Sequence, residues 1–394
     1  MCRLIPSVLL SIIHVVFAHA AQHTFSAPPR VPIDPIAQSI LDRALQDGID
    51  LSSFTFTRPA LDEIVYWYHF EAPPDLLYSL LEPPKNGTTI DVHAHYAPKW
   101  YGTIRQDSTE WTLESQLLHM ANQSIAQSIF SIPNPNIFLG DTNATVAIAR
   151  LLNENMAALV KRFPRRFSFF ATIPLPYVDE SITEEKYAFG SLGAIGVALT
   201  SNHEGRYLGD HLFTPFFAAI EKERAIVFVH PTEPLLEVNQ SLIQANPTVY
   251  SSIMAEFYFE TARTFLDLAF SETLTTFTSL DFIIPHAGGS LPSIIDRSIP
   301  AGPTLEAVMD AFSTRCWWDS AGLTYSHQIG GLLAHNISPS FLLYGSDFPY
   351  VSPALVDASS KSIANSPFIN EEQKGDIKSK NPQRLFASKG KYME

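Results

Sequence analysis

From residue 89 onward, short apolar runs alternate with longer amphipathic segments. The short runs are rich in β-branched and aromatic residues, which favours strands, whereas the longer segments carry apolar residues at helical spacing. The predicted strands are residues 89–93, 126–132, 167–173, 194–199, 225–230, 281–285, 314–319 and 341–345. The predicted helices between them include residues 144–163, 208–224, 254–277 and 327–335. Eight strands joined by helices predict an α/β fold, a (β/α)8 TIM-like barrel.

The first 20 residues have a different pattern. Arg3 precedes an apolar stretch, and Ala18-His19-Ala20 matches the cleavage pattern of secretory signal peptides. We therefore expect residues 1–20 to be a signal peptide and the protein to be secreted or to stay in the secretory pathway; a buried N-terminal helix is the alternative. Five N-glycosylation sequons agree with secretion, at Asn86, Asn122, Asn143, Asn239 and Asn336.

Residues 21–88 separate the predicted signal peptide from the barrel. They begin with a proline-rich stretch, predicted to be a linker, and continue with three segments of helical apolar spacing at 35–48, 61–70 and 75–84. We expect a linker and helical extension that packs against the barrel or against a partner subunit, and a substrate lid is the alternative. The barrel domain then occupies residues 89–394.

Composition narrows the range of partners. Forty acidic residues against 26 basic ones give a net charge of −14, which argues against nucleic acid and anionic membranes as partners. Cys2 lies within the predicted signal peptide, so Cys316 has no partner for a disulfide within the mature chain. Cys316 follows a Thr-Arg pair and precedes two tryptophans, and we interpret it as a buried apolar residue rather than a nucleophile.

The most informative polar residues lie in the first predicted strand, within IDVHAHY at residues 90–96. Because side chains alternate between the two faces of a strand, Asp91, His93 and His95 are predicted to share one face. Two neighbouring imidazoles suit zinc and similar cations, so His93 and His95 are candidate metal ligands. A partly exposed strand face without a ligand is the alternative. For Asp91 we expect a structural use.

Four further acid–base residues lie at the ends of later strands: His230 in AIVFVHP, His286 in DFIIPHAGG, Asp319 in WWDSAG and Asp347 in FLLYGSDFP. The carboxyl ends of barrel strands meet at one face, so these side chains are expected to converge. His230 could instead be a hydrogen-bonded core histidine, and Asp347 could cap the following helix. Asp319 is either an acceptor that holds His286 or another imidazole in one tautomer, or an ordinary turn residue.

Together, these strand-end motifs resemble the amidohydrolase superfamily, and most closely its branch of 2-amino-3-carboxymuconate-6-semialdehyde and 6-methylsalicylate decarboxylases. The resemblance covers residues 89–386. It implies one metal ion bound by His93, His95, His230 and Asp347, with His286 as the catalytic acid/base. Arg297, eleven residues after His286, resembles an arginine that reaches the partner subunit's active site in relatives. This implies a homodimer in which Arg297 binds substrate; a surface arginine is the alternative.

The number of metal ions is also predicted from the resemblance. Binuclear amidohydrolases usually bridge two metals with a modified lysine at the end of strand four, but AIGVALTS (residues 194–201) contains no lysine. One ion per chain is therefore expected. Nitrogen and carboxylate ligands favour zinc, and manganese is the alternative.

For the reaction, the resemblance favours metal-dependent nonoxidative decarboxylation of a small (hydroxy)aromatic or related unsaturated carboxylic acid, such as 6-methylsalicylate or orsellinate. His286 would protonate the ring carbon that carries the carboxylate. Metal-dependent hydrolysis of an ester, lactone or amide uses the same residues and is the main alternative. A non-enzymatic barrel is a third hypothesis. It is disfavoured because the chain retains all five polar residues that the resemblance implies for the site: His93, His95, His230, His286 and Asp347. Aromatic residues near the strand ends could contact a planar ring: Trp100, Tyr101, Trp317, Trp318, Phe348 and Tyr350.

Overall fold

The computed structural model describes residues 33–71, 78–85, 88–105, 109–132, 141–239, 241–245, 249–299, 302–322 and 324–390. The predicted signal peptide at 1–20 and nearly all of the predicted linker lie outside the described residues, as does the sequon at Asn86. Within the described part of the chain, no helix is both long enough and apolar enough to cross a membrane.

Eight parallel strands form one sheet in chain order, which confirms the predicted barrel. All eight coincide with predicted strands, with end points shifted by at most a few residues. They are β1 Thr89–His95, β2 Ile125–Ser131, β3 Phe167–Thr172, β4 Gly196–Thr200, β5 Ile226–His230, β6 Asp281–Ile284, β7 Cys316–Asp319 and β8 Leu342–Leu343. Among the described residues, two antiparallel hairpins lie outside the barrel, Asn202–His203 with Arg206–Tyr207 and Leu235–Val238 with Ser241–Gln244.

Backbone hydrogen bonds between β1 and the segment that follows β8 close the barrel. Val92 N donates to Tyr344 O over 3.0 Å, and Asp347 N donates to His93 O over 2.8 Å. These bonds pair the first strand with the last one, so no long edge of the sheet is left open here. They also hold the loop that carries Asp347 directly against the strand that carries His93.

A shift of register in the pairing of β1 with β2 lies between Asp91 and Ala94. A bulge of this kind interrupts the alternation of side chains along a strand. Val92 belongs to the apolar cluster inside the barrel, yet the next residue, His93, also faces this cluster, with its ring 4.8 Å from that of Phe228. The alternation predicted from the sequence is therefore broken at this point.

The bulge corrects one prediction. Asp91 does not share the face of the two histidines, because its carboxylate accepts hydrogen bonds from the backbone and the hydroxyl of Ser346, at 3.0 and 2.6 Å. Asp91 also accepts a bond from the backbone N–H of His93 at 3.2 Å. Its use is thus structural, as expected, since it ties β1 to the loop after β8.

Helices follow the strands and cover the outside of the barrel. In the described residues, the α-helices are α1 Pro35–Gln46, α2 Thr57–Tyr68, α3 Tyr78–Leu81, α4 Lys99–Arg105, α5 Leu113–Asn122, α6 Thr142–Arg162, α7 Val178–Tyr187, α8 Thr214–Lys222, α9 Ser252–Phe270, α10 Thr273–Thr276, α11 Ile295–Ser298, α12 Pro303–Thr314, α13 Ser326–Ala334, α14 Pro353–Ala364, α15 Glu371–Lys378 and α16 Lys380–Ser388.

Two predicted helices are shorter or broken in the structure. Residues 208–224 form a helix only from Thr214, because Asp210 first caps a short 3-10 turn and Pro215 occupies the first turn of α8, where its missing N–H costs nothing. Residues 254–277 are divided into α9 and α10 at Glu272, whose left-handed φ of 61° cannot continue a right-handed helix.

The helices α1 and α2 pack against α6 on the outside of the barrel. Trp67 Nε1 donates to Tyr96 OH over 2.9 Å, and Arg150 Nη2 donates to Asp47 Oδ2 over 2.8 Å. The described residues of this N-terminal extension do not line the cavity above the strand ends. The two hydrogen bonds thus connect the extension with α6 and with the residue after β1.

Candidate active site

The strand ends bring three histidines and one aspartate to a single point. His93 and His95 come from β1, His230 ends β5, and Asp347 follows β8. One potential ligand atom from each of these residues lies within 4.8 Å of the others, and the three imidazoles are buried. Three nitrogen donors and one carboxylate at this spacing are a donor set that zinc and other transition metals bind.

The three imidazoles are oriented by hydrogen bonds at their Nδ1 atoms. His93 Nδ1 lies 2.9 Å from Asp319 Oδ2, His95 Nδ1 lies 3.0 Å from Ser131 Oγ, and His230 Nδ1 lies 2.7 Å from the carbonyl oxygen of Pro231. A carboxylate or carbonyl at Nδ1 fixes the proton there and leaves the Nε2 lone pair for a metal. This pattern is the usual outer support of metal-binding histidines.

A buried atom without a protein partner tests whether a cation fits. His93 Nε2 is fully buried and has no hydrogen-bond partner within the described residues, although the Oδ1 atom of Asp347 is 3.7 Å away. Leaving a buried ring nitrogen unpaired is costly, and a cation between His93 and Asp347 would satisfy both groups. The donor set therefore fits one divalent ion.

The electrostatics of the cluster favour metal-binding protonation states at His95, His230 and Asp347. Burial lowers the pKa of His95, and burial together with the neighbouring imidazoles lowers the pKa of His230 well below its ordinary value. Burial opposes ionisation of Asp347, but the neighbouring imidazoles of His286, His95 and His93 outweigh it and hold its pKa well below the usual range. Neutral imidazoles beside an ionised carboxylate are the forms that coordinate a cation.

His93 and Asp319 are coupled more strongly. Burial alone would lower the pKa of His93, but the charge of Asp319 and its hydrogen bond raise it above the ordinary value. Burial likewise opposes ionisation of Asp319, yet the pKa of this carboxyl is lowered by His93. Asp319 Oδ1 also accepts the backbone N–H groups of His286 and Ala321, at 3.1 and 2.9 Å. One buried carboxylate thus positions the His93 ring and the backbone of His286.

His286 lies beside the cluster, at the turn after β6. Its ring centroid is 5.3 Å from that of His93, and its Nε2 is 3.7 Å from Asp347 Oδ2. Its Nδ1 atom is buried without a hydrogen-bond partner among the described residues. Tyr258 stacks on the ring at 5.7 Å and 23°. His286 is therefore held close to the ligand cluster without being one of the four converging groups.

The backbone around His286 is strained. His286 and Ala287 have φ values of 55° and 51°, a region that residues with a side chain adopt only at a cost. Gly288 continues the turn at φ 83°, and a Cβ there would lie 2.6 Å from the Trp318 ring. Asp347 has a φ of 61° as well. Left-handed residues at two of the site positions indicate that the fold enforces these side-chain directions.

A cavity of about 610 Å³ opens above the cluster. Of the aromatic residues selected from the sequence, Tyr350 is the one that lines it, and its ring is 5.5 Å from that of His95. The other five pack elsewhere; Phe348, for example, stacks on His119. The first turns of α9 and the loop before α13 supply further aromatic residues, which the strand-end pattern of the sequence did not predict: Phe257, Tyr258, Phe259 and Tyr325. A signal existed, because FYF at residues 257–259 is an aromatic run within the helix predicted at 254–277.

The remaining candidates lie away from the cluster. Arg297 is exposed on α11 and does not line the cavity of its own chain. Cys316 is a free, buried thiol at the start of β7, and burial raises its pKa well above the ordinary value, which confirms its interpretation as an apolar core residue. At the end of β4 the chain has Thr200 and Ser201 where a bridging lysine would be required for a second metal.

A closed eight-stranded barrel with three histidines and an aspartate at the carboxyl ends of its strands is typical of barrel enzymes that bind a metal at this face. The chain belongs to the amidohydrolase family, whose model matches residues 90–387. The decarboxylase macB of Penicillium terrestre is 32% identical over 285 residues, which cover 66% of this chain and 84% of that protein. The 6-methylsalicylic acid decarboxylase of Penicillium expansum is 30% identical over 288 residues, with the same coverage of 66% and 84%.

A solved structure shows the same fold. A dihydroxybenzoic acid decarboxylase from Polaromonas sp. JS666, crystallised with manganese and the inhibitor 2-nitroresorcinol, is 20% identical to this chain. It superimposes with a TM-score of 0.63 and covers 76% of this chain and 97% of its own.

Proposed function

We propose that this protein is a metal-dependent, nonoxidative decarboxylase of a small aromatic carboxylic acid. The observation that carries the proposal is the position of His286, a buried imidazole with one unpaired nitrogen beside a cluster of four metal-binding groups. The relatives described above are named decarboxylases, and the cavity is lined by aromatic rings that suit a planar acid.

The residues divide the work between binding and proton transfer. A divalent ion, when bound, supplies positive charge that attracts the oxygen atoms of the substrate. His93, His95, His230 and Asp347 would hold it. His286 delivers a proton to the ring carbon that carries the carboxylate; the bond to that carboxylate then breaks, its electron pair returns to the ring, and carbon dioxide leaves. Asp319 positions two of these residues, because its carboxylate holds the His93 ring and the backbone of His286.

The identity of the metal is part of the proposal. The nitrogen-rich donor set supports zinc, and the manganese in the dihydroxybenzoic acid decarboxylase structure supports manganese. Elemental analysis of the purified active protein distinguishes them, and we expect one ion per chain. Two ions per chain would contradict the argument from the absent lysine.

Incubation with a panel of hydroxybenzoic acids in deuterium oxide tests the reaction. We expect carbon dioxide and a product with one deuterium where the carboxylate was. His286→Ala should retain its metal and lose activity by about 10²–10⁴-fold, the usual contribution of general acid catalysis. Absence of carbon dioxide from every acid, together with cleavage of an ester, lactone or amide, would show that the site runs hydrolysis instead.

For assembly, we propose a homodimer in which Arg297 reaches the partner's site and binds the substrate carboxylate. A guanidinium binds a carboxylate through two parallel hydrogen bonds, and the exposure of Arg297 leaves it available to a second subunit. Arg297→Gln should raise KM and leave the oligomeric state unchanged. A fully active monomer in light scattering would contradict the cross-subunit role.

For location, we propose secretion with N-linked glycans. The asparagines of the four described sequons, Asn122, Asn143, Asn239 and Asn336, are exposed. Expression in a eukaryotic secretory host should yield a protein in the medium whose mass falls on treatment with an N-glycosidase. Retention of the full-length, unglycosylated chain inside the cells would contradict the proposal.

A further inference from the structure

The cavity above the cluster is larger than one aromatic ring requires. Its volume is about 610 Å³, whereas a cavity of roughly 150 Å³ accommodates benzene. A carboxylate and one or two hydroxyl groups add only a few atoms to the ring. A plain hydroxybenzoic acid would therefore leave most of the cavity filled with water.

The inner part of the cavity is where an aromatic ring fits. The Phe257 ring is 6.1 Å from that of His230, and the Tyr350 ring is 5.5 Å from that of His95. These two rings flank the cluster from α9 and from the loop before α14. A substrate whose carboxylate is at the cluster would have its ring between them.

Apolar side chains line the cavity from two segments of the chain. Ile253 and Met254 precede Phe257 by four and three residues on α9, so they lie on the same side of the helix, about 5 Å farther along its axis. Val351 and Leu355 line the cavity from the segment that begins at Tyr350. Ile253 and Met254 are 60% and 68% exposed. Large apolar side chains that are continuous with a catalytic cavity and exposed to water favour a ligand that covers them.

We propose that the substrate is an aromatic acid with an extended apolar substituent, such as an alkyl chain, which lies between the first turn of α9 and Leu355. This inference rests on the proposed function and specifies its substrate class. The ring and its carboxylate occupy the inner part beside the cluster. The substituent runs outward along Phe257 to Ile253 and Met254, where its burial removes exposed apolar surface from water.

The test compares salicylates with a methyl or a pentyl group at each of ring positions 3 to 6, using the metal-loaded protein. For at least one position we expect kcat/KM of the pentyl compound to exceed that of the methyl compound by about tenfold or more, because each buried methylene contributes up to about fourfold. If no pentyl compound exceeds its methyl counterpart, the inference is overturned even though carbon dioxide is produced.

Product binding separates this inference from the proposed function. Alkylphenols from methyl to pentyl, the products of these salicylates, should bind with increasing affinity and a progressively more negative heat-capacity change in calorimetry. If this holds while no acid releases carbon dioxide, the cavity inference stands and the decarboxylase proposal fails. If affinity does not rise with chain length, the cavity inference fails whatever the reaction is.

Two matched variants locate the binding surface. Ile253→Asn should remove most of the dependence of kcat/KM on the length of the alkyl chain. Phe270→Asn is the control, because Phe270 lies on the same helix, is 56% exposed and does not line the cavity. If Ile253→Asn instead changes the molar mass in light scattering and leaves the chain-length dependence intact, the apolar mouth is an interface between two copies of the chain, and the proposal is wrong.

Discussion

At the scale of single residues, the site depends on one carboxylate that touches neither the expected metal position nor the cavity. Asp319 is fully buried and holds the His93 ring by its Nδ1 atom. If the carboxylate of Asp319 becomes an amide, the ring loses its charged acceptor, and the preference for a lone pair on Nε2 weakens.

We therefore predict that Asp319→Asn lowers metal affinity by about 10–100-fold. A competition titration against a chelator measures this. Asp281→Asn is the control, because Asp281 lies at the start of β6, whereas the site lies at the carboxyl ends of the strands. There Asp281 pairs with Lys389 and accepts a hydrogen bond from Trp317. Equal affinities of wild type and Asp319→Asn would show that Asp319 does not orient a ligand.

At the scale of elements, the extension is attached to the barrel through a buried arginine on α6. Arg150 is fully buried, and its Nε donates to Glu184 over 2.8 Å while Nη2 reaches Asp47 beyond the end of α1. Its guanidinium also lies 3.8 Å from the centroid of the Tyr187 ring. One side chain thus connects α1, α6 and α7.

Arg150→Met should lower the free energy of unfolding by about 3–5 kcal/mol, because it leaves the buried Glu184 without its charge partner. Urea denaturation measures the loss. Arg58→Met is the matched control: Arg58 pairs with Asp62 on α2, but both side chains are exposed and solvent screens the pair. A similar effect of the two substitutions would contradict the assigned role of Arg150.

The packing of α5 predicts a pH effect. His119 is buried and stacks on Phe348 at 4.2 Å, and burial lowers its pKa to about 4. The unfolded chain takes up this proton near pH 6.5 and the folded chain only near pH 4, so stability falls as the pH drops through this window and not above it. Between pH 7 and pH 5, the free energy of unfolding of His119→Phe should fall by about 2 kcal/mol less than that of the wild type. Identical pH profiles of unfolding would contradict this.

At the scale of the whole molecule, the candidate metal centre links segments far apart in the chain. His93 and His95 lie on the first strand, His230 ends the fifth, and Asp347 follows the last. An ion bound by all of them joins both ends of the barrel sheet at the point where β1 and β8 meet. Metal binding and folding should therefore be coupled.

Chelation should lower the melting temperature, since an ion present at a hundredfold excess over its Kd stabilises the fold by about 3 kcal/mol. Differential scanning calorimetry with and without a chelator measures the shift, and readdition of zinc or manganese should restore it. His93→Ala is the reference, because its melting should no longer respond to the chelator. An equal response of both proteins would show that the shift does not arise at this site.

Much of the architecture could be predicted from the sequence. All eight strands were recognisable because each is a short apolar run between polar segments. The strands of a parallel sheet have this pattern because both faces of the sheet are buried. The histidines and aspartates of the site were recognisable because a polar residue at the end of an apolar strand is unusual unless it has a functional or structural role. His93, His95, His230 and Asp347 could thus be grouped before their positions were known.

Tertiary structure decided what depends on contacts between distant segments. The bulge in β1 arises from pairing with β2 and places His93 and His95 inside the barrel while Asp91 turns to Ser346. The choice between His286 and His93 as the partner of Asp319 was open in the sequence, because strand register sets which imidazole meets the carboxylate. The cavity walls on α9 were missed for the same physical reason: local pattern determines whether a segment is a helix, but only packing determines which of its faces meets the mouth of the barrel.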